Sequence, residues 1–360
     1  MNILSLKLIE FRNYHFFEMY PKEGKNIIIG ENGVGKTNLI EAISYLITGK
    51  SFRTSKDKEL INFDSNVAVL EAKVEIEGYT YDYKVLLTDK VKSFYVNDKN
   101  VKSLKDLNKL GSKVVFTPES LLMVKSGPGM RRDYIDSSLE EISYMYSHYS
   151  QNYRNILYSR NTLLKRRNSS EFKDLINIYN RELAKYGSGI LKMRLKYIRD
   201  LEKIGRVNYR EVFSNDKELK INYLSTVEIF KDSEKMEKSF IEALKNSEER
   251  DLNFGYTTIG PHRDDLEFYI NGENLKVFGS QGQIRSLVLA LKIAECEIIK
   301  NVKGYYPLLL LDDVFSELDE KRRKYLFSKL KDIQSFITTT DFDMEREGNF
   351  IMITGEDNGK

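Results

Sequence analysis

The sequence of 360 residues has a single cysteine and only three histidines. Cys296 cannot form a disulfide within the chain, which suits a reducing compartment. It lies in a helical pattern, where a lone cysteine is usually a small buried hydrophobe. The histidines, His15, His148 and His262, stand far apart, so metal-ligand spacing is missing. These absences exclude a disulfide-stapled secreted domain and a histidine metal site.

Membrane and targeting signals are missing as well. No apolar run reaches the roughly 18 residues that a membrane span needs. The first residues, 3–8, alternate as a strand does and do not form a charged-then-apolar signal sequence. The formal net charge is only +3, so contacts to nucleic acid would have to come from local basic clusters. We therefore expect a cytoplasmic protein without a membrane partner.

One phosphate-binding pattern stands out near the N-terminus. Residues 30–37 read Gly-Glu-Asn-Gly-Val-Gly-Lys-Thr, which fits the P-loop pattern G-x-x-x-x-G-K-[ST]. An apolar strand pattern precedes it and a helical pattern follows, so tight glycine turns would lead into a helix N-terminus facing the phosphates. Lys36 would reach the β- and γ-phosphates of ATP, and Thr37 would hold Mg²⁺. The expected nucleotide contacts are Gly30, Asn32, Gly33, Gly35, Lys36, Thr37 and Asn38.

A second motif near the C-terminus completes this site. The apolar strand 308–311 ends in Asp312 and Asp313, the pattern of a Walker B motif. Asp312 can hold the Mg²⁺ that Thr37 also touches, and Asp313 can orient or deprotonate the attacking water. The alternative is an ordinary helix cap. The two motifs lie much farther apart than a compact P-loop GTPase needs, so a subdomain must be inserted between them.

A helical hairpin fills that gap. Apolar residues recur at steps of four and three over 131–165 and again over 172–204, which is heptad spacing. The polar segment 167–170 joins the two stripes, so we predict an antiparallel hairpin. Gly187 and Gly189 are expected to weaken or bend its second arm. Beyond it we expect a strand over 219–224, a helix over 233–245, short strands over 266–270 and 275–278, and a helix over 286–299.

Two further segments resemble motifs of ABC ATPases. Residues 278–283 (Phe-Gly-Ser-Gln-Gly-Gln) are similar to the ABC signature, with Gln281 in place of the first of two adjacent glycines, and 316–319 resemble the D-loop. The resemblance implies a head-to-head dimer with two sandwiched ATP molecules, in which the signature helix faces the γ-phosphate on the other subunit. The alternative for the signature segment is an ordinary loop. The residues implied at this shared site are Ser280, Gly282, Gln283 and Asp319.

The chain also resembles the RecF family along its whole length. Residues 118–136 and 258–266 are similar to the two RecF signatures, 50–54 are RecF-like, and 11–14 resemble the start shared by RecF and chromosome-maintenance ATPases. This resemblance implies an ATP-dependent dimer that binds DNA at gaps and helps the RecO and RecR mediators to load recombinase. It also implies that Arg12 and Asn13 belong to the nucleotide site.

The predicted fold is α/β. We expect an ABC-type P-loop ATPase head, a mixed sheet with helices, plus an inserted α-helical hairpin lobe. The N-terminal part of the head would cover residues 1–116, the inserted arm 117–250, and the C-terminal part of the head 251–360.

Two departures from the ABC pattern concern catalysis. Asp313 stands where a glutamate is usual, and Thr340 stands where a switch histidine is usual. Both predict slow ATP hydrolysis, so that ATP acts as a timer on a dimer clamp. We also expect DNA to stimulate the hydrolysis. Glu119 falls where a glutamine loop would touch Mg²⁺ and water; the alternative is an acid at a helix start after Pro118.

Basic groups suggest where DNA could bind, chiefly through phosphates and without base reading. The alternative for each is a solvated helix face. Arg131 and Arg132 could instead hold Asp136 or an inter-lobe contact. Residues 262–265 suggest a structural network between lobes, and the alternative for them is a direct ligand role. The predicted DNA contacts are Lys50, Arg53, Lys56, Arg160, Lys165, Arg166, Arg194 and Lys196.

Three rival functions share a P-loop. A transporter engine would need a membrane partner and normally a switch histidine. A structural head of a chromosome organiser would need a long coiled coil. A metabolite kinase would have no use for Ser280–Gln283.

Overall fold

The computed structural model describes residues 1–103, 106–107, 110–166, 172–213, 217–340 and 348–354. The chain divides into two compact units: unit 1 comprises Met1–Leu122, Val207–Asn215 and Gln281–Lys360, and unit 2 comprises Met123–Arg206 and Asp216–Ser280. The predicted boundaries need correction. The first part of the head extends beyond residue 116, and residues 251–280 belong with the arm because the strand Asp265–Ile270 pairs with the strand Leu219–Leu224.

Strands and helices alternate in blocks along the chain. The strands are β1 (Asn2–Phe11), β2 (Tyr14–Met19), β3 (Lys25–Ile29), β4 (Val67–Ile76), β5 (Tyr79–Thr88), β6 (Lys92–Val96), β7 (Lys99–Asn100), β8 (Lys113–Phe116), β9 (Leu219–Leu224), β10 (Asp265–Ile270), β11 (Glu273–Asn274), β12 (Leu308–Leu311), β13 (Ser335–Thr339) and β14 (Asn349–Met352). The helices are α1 (Lys36–Thr48), α2 (Pro118–Leu122), α3 (Pro128–Ile142), α4 (Tyr144–Leu164), α5 (Phe172–Val212), α6 (Ser233–Asn246), α7 (Glu248–Phe254), α8 (Leu275–Phe278), α9 (Gln281–Lys303) and α10 (Glu320–Lys329).

Unit 1 contains two sheets. One is antiparallel, in the order β2-β1-β4-β5-β6-β7, and its long strands alternate buried and exposed side chains. The other is parallel, in the order β14-β3-β13-β12-β8. All four leucines of β12 are buried, as expected of a strand covered on both faces. Ile43 and Leu46 of α1 join the core residues of both sheets in one cluster.

The parallel sheet collects the predicted motifs at one edge. The carboxyl ends of β3, β12, β13 and β8 lie side by side, because Thr339 pairs with Ile29 and Leu311 pairs with Ile337 and Phe116. The P-loop follows β3 and Asp312 follows β12. Loops at the carboxyl edge of a parallel sheet are the usual ligand sites of α/β folds.

The helical hairpin of unit 2 is confirmed as antiparallel, with one difference. Along α4 and α5 the contacts run in opposite directions, from Tyr149 opposite Gly189 to Arg160 opposite Asn180. The first arm is broken between α3 and α4, where Ser143 is extended (φ −141°, ψ 108°) and its side chain accepts a hydrogen bond from the Tyr146 amide. The heptad spacing of apolar residues continues across this break, so the sequence pattern did not predict it. The predicted turn at 167–170 lies outside the described residues.

One predicted strand is wrong. Residues 275–278 form helix α8, because the Asn274 side chain accepts a hydrogen bond from the Lys276 amide and caps a helix there. Of residues 273–278, Glu273 and Asn274 alone pair with β10.

Gly187 lets a neighbouring aromatic ring approach helix α5. The helix runs through it, and a Cβ added there would lie 2.5 Å from a ring carbon of the fully buried Phe240 and 3.2 Å from Tyr153. Replacing a helical glycine by alanine usually stabilises by about 1 kcal/mol. For Gly187→Ala we expect the opposite sign, a loss of about 1–3 kcal/mol from overpacking, measured by chemical denaturation. Gly189→Ala is the matched control, since its contact, Tyr149, is only partly buried. Stabilisation by Gly187→Ala would contradict this packing.

Within the described part of the chain, no helix combines the length and apolar character needed to cross a bilayer.

Candidate functional site

The P-loop conformation depends on glycines, because any other residue at these positions would strain the backbone or clash with a neighbour. Gly33 and Gly35 have left-handed φ values of 85° and 106°. A Cβ on Gly35 would lie 2.4 Å from the Asn13 side chain, and one on Gly30 would lie 2.5 Å from the Ile353 carbonyl oxygen. Gly35 caps α1 without a side-chain hydrogen bond, so the first turn presents backbone N–H groups, as an anion site requires.

Lys36 reaches back over the loop. Its Nζ donates hydrogen bonds of 2.7 Å to the carbonyl oxygens of both Gly30 and Glu31. Burial lowers the pKa of Lys36, and the nearby carboxylates of Asp313 and Asp312 act in the opposite direction. A bound phosphate chain would offer this ammonium oxygen ligands of full negative charge in place of carbonyls.

The two halves of the predicted site meet at Asp312. Its Oδ1 accepts hydrogen bonds of 2.9 Å from Thr37 Oγ1 and from Thr338 Oγ1. Burial raises the pKa of Asp312, while the two hydroxyl donors lower it. A hydroxyl and a carboxylate beside a phosphate site are the hard oxygen ligands that Mg²⁺ uses together with phosphates and water. Among the described residues, no group of three or more histidines, cysteines or acids is arranged to hold a metal ion by itself.

Asp313 occupies an unusual backbone position. Its φ is +50°, a region that asparagine and aspartate adopt more readily than most residues. Its amide donates a 2.9 Å hydrogen bond to Thr338 Oγ1, and the residue is exposed. Thr338 thus supports both acids, a role that the sequence did not reveal.

Arg12, Asn13 and Asn38 are all brought to the P-loop. Asn13 Nδ2 donates to the Val34 carbonyl oxygen (3.2 Å), and Asn38 Nδ2 donates to Asn13 Oδ1 (2.6 Å). Arg12 forms two 2.9 Å hydrogen bonds with Glu41. Glu41 has a fully buried side chain and was missed. The sequence did contain a sign of this role, because Glu41 is an acid at a position within the apolar pattern of α1.

Arg53, predicted to bind DNA, follows helix α1 in the chain and contacts that helix through its side chain. Its Nη1 donates to Asn38 Oδ1 at 2.7 Å and lies 3.4 Å from Glu41 Oε2, and its side chain is 44% exposed. It therefore shares the Glu41 carboxylate with Arg12. Lys50 and Lys56, three residues before and after Arg53, are also exposed.

The start of the signature helix is tied to the D-loop by Arg322, which sequence reasoning missed. Asp319 caps α10 by accepting from the Arg322 amide (2.9 Å) and also pairs with the Arg322 guanidinium. The same guanidinium donates to the Gly282 carbonyl oxygen (2.9 Å) and to Ser286 Oγ (2.8 Å). The sequence sign of this role was the spacing, because Arg322 follows the D-loop residue Asp319 by three positions. Ser280 is exposed, and Gln283 is partly buried.

Glu119 lies in the first turn of α2, directly beyond β8. Because the Asp312 amide donates to the Phe116 carbonyl oxygen (2.9 Å), Glu119 follows a strand that ends beside Asp312. It is exposed, and its catalytic role stays a prediction.

Two predicted DNA contacts must be corrected. Arg160 is fully buried and donates to Asp251, Thr257 and Asn180 at 2.7–2.8 Å. Arg194 is 3% exposed and pairs with Asp136 at 2.6 Å. Guanidinium groups enclosed in this way have no surface left for phosphate. Lys165, Arg166 and Lys196 are exposed, as a DNA contact requires.

The segment 260–265 organises the interior of unit 2. Arg131 forms hydrogen bonds of 2.7 and 2.9 Å with Asp265, and Arg132 donates to the Asp264 carbonyl oxygen (2.9 Å). Burial raises the pKa of Asp264, which accepts from Tyr223 and Thr226. The partners named here belong to unit 2, so the expected inter-lobe role is replaced by a structural role within one unit.

His262 is part of the same network in its neutral form. Its Nε2 lies 3.1 Å from the Thr257 carbonyl oxygen, which can only accept, so the remaining nitrogen, Nδ1, accepts from Tyr153 Oη at 2.8 Å. Burial lowers the pKa of His262 to about 4, which favours the neutral ring that this hydrogen-bond pattern requires.

Comparison with known proteins gives one consistent answer. Residues 2–359 match the family described as the RecF/RecN/SMC N terminal domain. The chain is 40% identical over 344 residues to the DNA replication and repair protein RecF of Clostridium perfringens, covering 95% of this chain and 94% of that protein. It is 41% identical over 345 residues to RecF of Clostridium botulinum, covering 95% and 93%.

Solved structures agree. A structure described as the recombination mediator protein RecF with ATP in the RecFOR pathway superposes with a TM-score of 0.91 at 34% identity, covering 98% of this chain and 95% of that one. The Smc head domain of Pyrococcus furiosus superposes with a TM-score of 0.55 at 16% identity, covering 99% and 94%, which shows a shared fold alone. The fold is therefore the predicted ABC-type ATPase head with an inserted helical arm, and the chain belongs to the RecF family.

Proposed function

We propose that this chain is an ATP-dependent DNA-binding protein of replication and repair. In this proposal ATP joins two copies head to head into a clamp that binds duplex DNA at gaps. The observation that carries the proposal is the 2.9 Å hydrogen bond from Thr37 Oγ1 to Asp312 Oδ1, which unites two motifs from opposite ends of the chain. A RecF structure solved with ATP supports the choice of nucleotide.

The residues at this point suit ATP hydrolysis. Lys36 and the N–H groups at the start of α1 would bind the phosphates, and Thr37 and Asp312 would hold Mg²⁺, which neutralises phosphate charge when bound. Asp313 would position the attacking water, with Glu119 as a second acid at the same sheet edge. Because aspartate is shorter than glutamate and Thr340 cannot replace a histidine, we propose slow turnover that resets the clamp and is stimulated by DNA.

Dimerisation would complete the site. Ser280, Gly282 and Gln283 would contact the γ-phosphate held by the other copy, with Asp319 beside them. The hydrogen bonds from Arg322 to Asp319 and to the Gly282 carbonyl oxygen support a rigid pairing of signature helix and D-loop.

Ser280→Arg tests the dimer. We expect ATP affinity to stay within about twofold, while ATP-dependent self-association weakens about 100-fold, because a charge would be buried against the partner. Analytical ultracentrifugation with and without ATP measures the second quantity, and fluorescent-nucleotide titration measures the first. Ser137→Arg is the matched control, since it puts the same charge on an exposed serine of α3. Normal ATP-driven dimerisation of Ser280→Arg would refute the shared site.

Exposed basic side chains would supply the DNA contacts, and their affinity would fall steeply with salt. We further propose that the RecR and RecO mediators act with this clamp in loading recombinase. Sedimentation of the protein with a gapped duplex, with and without ATP at two salt concentrations, tests the proposal as a whole. DNA binding that is equally tight without ATP would oppose it. The proposed contacts are Lys50, Arg53, Lys56, Lys165, Arg166 and Lys196.

A further inference from the structure

Two aromatic side chains of unit 2 stack on each other at the surface. Phe254 ends helix α7, and Tyr256 follows after Gly255, whose left-handed φ of 70° turns the chain sharply. The ring centroids are 5.5 Å apart with 26° between the planes. Phe254 is 59% exposed and Tyr256 is 38% exposed. Exposed apolar rings held in a fixed stack mark a binding surface more often than isolated exposed residues do.

Cationic side chains surround this pair. The Arg263 guanidinium carbon lies 4.6 Å from the centroid of the Tyr256 ring. Arg250 donates through Nε to Thr258 Oγ1 at 2.9 Å, and Lys165 Cγ lies 3.6 Å from a Cβ built on Gly255. All three basic residues are exposed. The surface therefore offers flat apolar faces and positive charge together.

Acidic residues of the same helix point elsewhere. Arg250 precedes Phe254 by one turn, so the two lie within about 40° of each other around α7. Glu248 and Glu249 lie about 120° or more from Phe254 on the helix. Asp251 is fully buried and paired with Arg160. An anionic ligand on Phe254 would thus meet cations rather than carboxylates.

We propose that Phe254 and Tyr256 form a base-stacking site for single-stranded DNA, with Arg250, Arg263 and Lys165 contacting its phosphates. Unpaired bases expose π-faces that stack on aromatic rings, whereas paired bases are already stacked in the duplex. The inference rests on the proposed DNA-binding function and deepens it, because it assigns the single strand of a gapped substrate to one surface.

The full chain with ATP tests this inference through two oligonucleotide substrates, a gapped duplex and a continuous duplex of equal length. Phe254→Ala is expected to weaken binding to the gapped substrate about tenfold and to leave binding to the continuous duplex within about twofold. Phe254→Trp should retain stacking and affinity. Phe63→Ala is the matched control, because Phe63 is fully exposed in unit 1. Photo-crosslinking with 5-iodouracil in the gap, mapped by mass spectrometry, should mark Phe254 or Tyr256.

A charge variant separates stacking from electrostatics. Lys165→Gln should weaken binding to both substrates and reduce the salt dependence of each. If Phe254→Ala binds both substrates like the wild type, or weakens both equally, or if crosslinks map elsewhere, the stacking site is refuted while the DNA-binding proposal stands. If the wild type binds neither substrate, the proposed function itself fails. Thermal unfolding of each variant shows that the fold is retained.

Discussion

Asp313→Asn is expected to lower the maximal ATP turnover about 10²–10⁴-fold, the range typical of removing a general base. Asparagine keeps the shape of the side chain and tolerates the left-handed φ of +50° at this position. ATP affinity should therefore stay within about twofold, and the ATP-bound dimer should persist longer. Turnover is measured by phosphate release, and affinity by nucleotide titration.

Two companion variants isolate the effect. Asp313→Ala removes the carboxylate too, but it also places alanine in a strained conformation, so we expect an added loss of about 1 kcal/mol or more in stability. Asp332→Asn removes an exposed acid elsewhere in unit 1 and should leave turnover unchanged. If Asp313→Asn hydrolyses ATP at the wild-type rate, another acid positions the attacking water, and Glu119 is the first candidate.

Asp251→Asn is expected to cost about 3–5 kcal/mol of folding free energy, because it leaves the charge of Arg160 buried without a counter-ion. The two side chains pair at 2.7 Å and neither is exposed. Asp251 also accepts from the amide and hydroxyl of Thr258 and from the hydroxyl of Ser247, so with Arg160 four donors surround its carboxylate. Denaturant-induced loss of helical circular dichroism measures the change.

The matched control is Glu320→Gln, which removes one partner of the exposed pair with Lys324. Exposed pairs contribute little, so this variant should unfold like the wild type. A destabilisation by Asp251→Asn below about 1 kcal/mol would mean that Arg160 is compensated by other groups.

Local motifs explain which parts of the site were predictable. The P-loop and the Asp312 strand carry their chemistry in a few consecutive residues, and the sheet register then brings them together. Glu41, Thr338 and Arg322 were missed because their roles depend on neighbours distant in sequence. Thr338 supports both acids only because β13 lies beside β12.

The errors have the same origin. Arg160 occurs in a helix rich in polar residues, and nothing local indicates that Asp251, Thr257 and Asn180 converge on it. The heptad stripe predicted the hairpin correctly yet passes unchanged through the break at Ser143. A single side-chain cap at Asn274 was enough to turn an expected strand into a helix.

The position of β3 in its sheet constrains how the protein is made. β3 lies between β13 and β14, so the strand that carries the P-loop leaves the ribosome about 300 residues before either neighbour. At roughly 10 residues per second, it waits about half a minute without a hydrogen-bonding partner. Unit 2 is translated in the interval and can fold first. Nucleotide can therefore stabilise this protein only after nearly complete synthesis, and a nascent chain halted before β13 should not be retained on ATP-agarose.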